Sequence, residues 1–121
     1  MPIATLKART WKGAAVRSLR RWFGLSQAEF AKTVGAHRAT IIRWEGGAGG
    51  PAPTSAEAAV MSALSDIRDL LERGRGPRAK SWLGAQVPVL DGKTPRAVLA
   101  SGPRGVLRVR DVVREDWEGV Y

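Results

Sequence analysis

Residues 24–45, GLSQAEFAKTVGAHRATIIRWE, constrain the fold of this chain more than any other stretch. Ser26 and Glu29 have the S-x-x-E spacing in which a hydroxyl and a carboxylate each satisfy the other residue's backbone amide at a helix start. From there Ala28, Phe30, Ala31 and Val34 give one apolar face at helical spacing. Gly35 ends the helix. The chain must turn sharply there, and glycine takes a positive φ without steric cost. After Ala36 the pattern resumes, with Ile41 and Trp44 facing inward and Arg38 and Arg43 facing out. Ala31 has to be small, because the second helix crosses over it. Two short helices joined by a tight turn fit the arithmetic of a helix-turn-helix.

Charge follows the same boundary. The chain has 121 residues and a formal net charge of +9. Residues 1–48 carry net +7, residues 49–76 net −1 and residues 77–121 net +3. The excess sits on the helix-turn-helix part, as expected of a part that meets a phosphate backbone. Hydrophobic residues make up 44%, enough for a core and too many for global disorder. There are no cysteines and one histidine, which leaves no disulfide, no thiolate site and too few ligands for structural zinc. No apolar run has the length of a membrane span and no apolar signal core is visible, so the expected location is the cytoplasm.

The stretch 24–47 resembles the DNA-binding domain of the Xre/Cro/CI family of bacterial and phage repressors. The matching residues are Gln27-Ala28, Phe30-Ala31, Val34-Gly35, Thr40-Ile41 and Trp44-Glu45. The position opening the recognition helix, often Ser or Thr in that family, is His37 here, which either caps the helix or adds a donor. In such a unit the start and outer face of the second helix enter the major groove. That places His37, Arg38, Ala39 and Arg43 toward DNA. Arg38 or Arg43 suits bidentate pairing with guanine O6 and N7, and Ala39 suits contact with a thymine methyl. Gln27, at the start of its helix, and Thr40 are placed to hold phosphates. Helix-turn-helix units also serve as plain protein-interaction modules.

Residues 1–12 are short and basic, either a flexible arm that adds backbone contacts or a frayed terminus. Residues 13–23 read as a helix with Ala15, Leu19, Trp22 and Phe23 on one face and Arg17, Arg20 and Arg21 on the other, ended by Gly24. Residues 46–53, GGAGGPAP, read as a hinge. Thr54 and Glu57 form a second capping box. It opens a helix running to about Arg73, with Val60, Leu64, Ile67 and Leu71 as a stripe and Ala63 and Leu70 beside it. The stripe either closes the fold or serves a dimer. Gly74, Gly76 and Pro77 should stop this helix.

Residues 77–121 read as a separate unit. A short helix is expected around 79–83. Thr94 should cap a second, with Pro95 at its first position. Pro103 should start a third, with Val106, Val109, Val113 and Trp117 near helical spacing and Gly119 as its stop. Within it VLRVRDVV is rich in β-branched residues, so a strand reading stays open there. The tail also carries a resemblance. Trp82-Leu83, LDGKTP at 90–95, Val98-Leu99, Gly105, Val112-Val113 and the final EGVY are similar to the C-terminal toxin-binding domain of Xre/MbcA/ParS-type antitoxins. In that family the partner is a RES-domain toxin and the antitoxin's last segment lies near the toxin's active site. The resemblance implies Trp82, Leu83, Trp117, Val120 and Tyr121 as toxin contacts.

Enzyme readings fail on the residues. GKT at 92–94 ends like a P-loop, but the earlier glycine is replaced by Val87, and Pro88 interrupts the loop. A hydrolase triad would need a placed base, and the lone histidine sits on the recognition helix. Asp111, Glu115, Asp116 and Glu118 read as a helix face and its end. The expectation is an all-α chain: an arm at 1–12, a Cro/CI-like helix-turn-helix bundle with a long closing helix at 13–76, and a small helical toxin-binding domain at 77–121. Operator DNA and a RES toxin are the expected partners of a homodimeric antitoxin without cofactor or metal; a stand-alone repressor whose tail only dimerises is the alternative.

Overall fold

A computed structural model of the chain describes residues 11–47 and 52–118, with side chains to residue 115. The described residues form seven α-helices: α1 (Gly13–Trp22), α2 (Gln27–Val34), α3 (Arg38–Gly46), α4 (Ser55–Arg75), α5 (Ala79–Trp82), α6 (Pro95–Ala100) and α7 (Pro103–Glu118). Single 3-10 turns lie at Gly76–Arg78 and Pro88–Leu90. No strand occurs among the described residues.

The helix starts follow from their caps. Ser26 Oγ accepts the Glu29 amide at 3.1 Å while Glu29 Oε1 accepts the Ser26 amide at 2.8 Å. Thr54 and Glu57 repeat this arrangement ahead of α4, at 3.1 and 2.9 Å. Thr94 caps α6 through the Ala97 amide. Each such cap stabilises by about 1 kcal/mol. Gly35 ends α2 at φ 84°, and the amides of Gly35 and Ala36 both close on the Ala31 carbonyl. This left-handed step turns the chain into α3.

The structure corrects three details of the sequence reading. On α1 the inward residues are Val16 and Leu19, followed by Phe23 just past its end, while Ala15 and Trp22 are only half-buried. Ala28 is exposed, so the inner face of α2 is Phe30, Ala31, Thr33 and Val34. Helix α4 runs through Gly74 and stops at Gly76. The stretch VLRVRDVV is helical. Val106, Val109 and Val113 are all buried, and their 3.6-residue period outweighs the β-propensity of valine.

The stripe on α4 is used inside the molecule. Val60, Leu64, Ile67 and Leu71 are buried, and α7 is the helix most extensively packed on α4. Helix α6 pairs closely with α7 at Gly105, where an added Cβ would run into the Val98 carbonyl and the Ser101 hydroxyl. The turn between α6 and α7 rests on the end of α2: Pro103 lies against Gly35, and Gly102 faces the Lys32 carbonyl. Buried residues from 13–76 and from 77–118 belong to one core cluster.

Candidate nucleic-acid interface

Helix α3 has two unlike faces. Ile41, Trp44 and Glu45 are buried, while Arg38, Ala39, Ile42 and Arg43 are exposed. The expected outward residues Arg38, Ala39 and Arg43 therefore all reach solvent on one face. His37 is exposed at the N-cap position. Its side chain makes no cap hydrogen bond; its carbonyl accepts the Thr40 and Ile41 amides. The imidazole is thus exposed at the head of the helix and does not cap it. Thr40 is half-buried at the edge of the outer face.

What holds this face in place is a buried ion pair that local sequence signals did not reveal. Glu45, 6% exposed, receives Arg20 Nε at 2.6 Å and a second Arg20 guanidinium nitrogen at 2.8 Å. The other terminal nitrogen of Arg20 donates to the Leu25 carbonyl at 3.0 Å. Gln27 Nε2 adds a bond to Glu45 Oε1 at 3.3 Å, and Arg17 donates to the Glu45 carbonyl at 2.8 Å. Helix α1, the start of α2 and the end of α3 are thereby pinned to one carboxylate. The Arg20 hydrogen bonds hold the Glu45 carboxyl below its ordinary range, with Gln27 and the Arg17 charge adding to the effect and burial opposing it. The same bonds raise the Arg20 guanidinium above its usual value. The sequence reading put Arg20 on a solvated face; the structure turns it inward.

Arg20, Ser26, Gln27, Ala28 and Arg38 line a shallow hollow between α2 and α3. The amides of Gln27 and Ala28 open α2 and have no intrahelical acceptor. They stand in the first turn of the helix beside an exposed arginine, a setting suited to a phosphate oxygen. The Gln27 side chain is engaged by Glu45, so the backbone is the part of this residue left for an anion.

The sequence profile of the helix-turn-helix family HTH_3 matches residues 16–60. Residues 16–60 are a helix-turn-helix domain. The matched region spans α1 to α3 and the start of α4, and so contains the Glu45 clamp and the exposed face of α3. No curated protein matches the sequence. Among solved structures, one chain of the "Crystal structure of the M.tuberculosis MbcT-MbcA toxin-antitoxin complex" has the same fold, with a TM-score of 0.57 and 21% identity. The match covers 90% of this chain and 96% of that one.

Beyond the helix-turn-helix domain, the residues singled out in the tail are scattered in role. Leu83 is fully buried and offers no surface in this conformation. Trp82 is half-buried, with the Arg75 guanidinium 5.4 Å from its ring centroid. Trp117 lies on α7 with its side chain outside the described residues, and Val120 and Tyr121 lie outside them altogether. Residues 1–10 of the expected basic arm are outside as well. Among the described residues no group of His, Asp or Glu is arranged to hold a metal ion, and no helix is long and apolar enough to cross a membrane.

Proposed function

We propose that the chain is the antitoxin of a type II toxin–antitoxin system. It neutralises a RES-domain toxin by direct binding through residues 77–121 and represses its own operon through the helix-turn-helix domain, as a homodimer on operator DNA. Its work is binding, not catalysis. The observation that carries the reading is the extent of the fold likeness to a chain of a toxin–antitoxin complex: both chains are covered almost end to end, so the likeness takes in the tail and not the helix-turn-helix alone. The tail residues that resemble an antitoxin's toxin-binding domain, read independently from sequence, point the same way.

On DNA, Arg38 and Arg43 pair with guanine edges and Ala39 touches a thymine methyl. The Gln27 amide and the Thr40 hydroxyl hold phosphates, and His37 donates from the head of the helix. On the toxin, Trp82, Trp117, Val120 and Tyr121 form the contact, with Leu83 supporting it from the core.

The test is co-expression of the tagged chain with a RES-domain toxin encoded beside it. A stoichiometric complex that restores growth is the expected result. No complex and no rescue, together with salt-sensitive binding to the chain's own promoter, would reduce the protein to a repressor whose tail only dimerises.

A further inference from the structure

Three large apolar side chains are exposed among the described residues: Ile42, Val89 and Leu107. Ile42, 43% exposed, is the one within the helix-turn-helix domain. At roughly 100° per residue it lies between Arg38 and Ala39 on the helix surface, with Arg43 beyond Ala39. It therefore stands in the middle of the outer face, flanked by two guanidinium groups.

Local structure does not account for it. Isoleucine is a middling helix former, and a β-branched side chain at an exposed helical position gains nothing from the backbone. It adds nothing to the core, which on this helix is made by Ile41 and Trp44. The flanking cations limit what can cover it, because a partner must bring negative charge at its edges and an apolar group at its centre. A DNA major groove has that layout. Phosphates line its rims, and the thymine 5-methyl is the apolar group on its floor. An A-form RNA duplex does not, since uracil lacks the methyl and the major groove is too deep and narrow to enter.

We infer that Ile42 is a specificity-determining residue that reads the 5-methyl group of a thymine between the guanines contacted by Arg38 and Arg43. The inference rests on the DNA-binding reading above. It adds a thymine, defined by its methyl group, to the centre of each half-site.

The experiment starts from a duplex site selected from a random pool with the full chain. Each thymine is then replaced singly by deoxyuridine, which removes only the methyl, and affinity is titrated at fixed salt for the wild type, Ile42→Ala and Ile42→Val. For the wild type, one or two replacements should weaken binding about four-fold, the effect of one buried methyl-sized group. Ile42→Ala should bind the thymine and uracil forms of at least one of these positions equally, and Ile42→Val should keep part of the difference. The slope of log affinity against log salt should be the same for all three proteins, because no cation is lost. Ile42 is exposed, so Ile42→Ala should melt with the wild type. A wild type indifferent to every uracil, or an Ile42→Ala protein that keeps the full wild-type pattern, would overturn the inference while leaving DNA binding intact. A lower association state of Ile42→Ala with an unchanged uracil pattern would also overturn it, assigning the residue to contact between copies. If selection enriches no sequence and Arg38→Ala with Arg43→Ala changes no affinity, the DNA-binding reading itself fails.

Discussion

Removing the Glu45 carboxylate should loosen the helix-turn-helix more than any change on its outer face. Glu45→Ala would leave Arg20, whose side chain is 13% exposed, with its Nε and one terminal nitrogen unpaired, and would free Gln27 Nε2. Breaking a buried pair by deleting one partner costs about 3–5 kcal/mol, mostly because the other charge stays buried. With a urea m-value of about 1.5 kcal/mol/M for a domain of this size, the midpoint should fall by about 2–3 M. Glu45→Gln keeps the shape and one acceptor, so it should fall by about half as much. Replacing both partners, Arg20→Met with Glu45→Leu, should recover most of the loss, because an apolar pair needs no counter-charge. pH gives an independent check. The folded carboxyl titrates below the ordinary value of 4.5. Its contribution is therefore complete above that value and is lost as pH falls through the folded value. The gap between wild type and Glu45→Gln should be constant from about pH 7 to about pH 5 and close in stronger acid. Equal urea midpoints for wild type and Glu45→Ala, or a double variant that loses as much as its two singles added, would refute this account of the clamp.

Three further outcomes are expected. Gly105→Ala drives a methyl into the Val98 carbonyl and should lower stability by about 2–4 kcal/mol, read as a drop in thermal midpoint. Arg38→Ala with Arg43→Ala should reduce preference for the selected site by about 1–3 kcal/mol per lost guanine contact, measured against a scrambled duplex at the same salt. Deleting residues 119–121 should abolish rescue from the toxin and leave operator binding almost unchanged; growth assays and duplex titrations on one preparation separate the two.

The parts of the fold legible in the sequence are those set by short-range chemistry. Ser26 with Glu29, Thr54 with Glu57, Thr94 with Pro95, and Gly35 at φ 84° each act within four residues, so their spacing alone places the helix ends. The sequence does not place Ala28, because alanine is indifferent to exposure and only the crossing of α3 decides which side of α2 is covered. Arg20 escaped because its partner lies 25 residues away and the Gln27 bond joins residues 18 apart; no local period records such pairs. The one available signal was a lone Glu at the end of a basic recognition helix. Ile42 escaped for the opposite reason. Counting apolar residues as inward assigns Ile41 and leaves its neighbour without a role, although an aliphatic side chain among exposed arginines is itself the signal.

The α4 stripe settles how the chain should unfold. Val60, Leu64, Ile67 and Leu71 are buried, and α7 provides the largest share of the packing on their helix. Pro103 and Gly102 meanwhile close against the end of α2. Melting the tail alone would expose the apolar faces of both α4 and α7, a cost on the order of 25 cal/mol for every Å² returned to water. A sequence boundary at residue 76 need not be a thermodynamic one. The described residues should unfold in a single transition, with calorimetric and van't Hoff enthalpies equal. Because the stripe is already buried within the chain, any homodimer would be built from another surface. Two resolved heat-absorption peaks would refute the single transition and restore the tail as an independently folding unit.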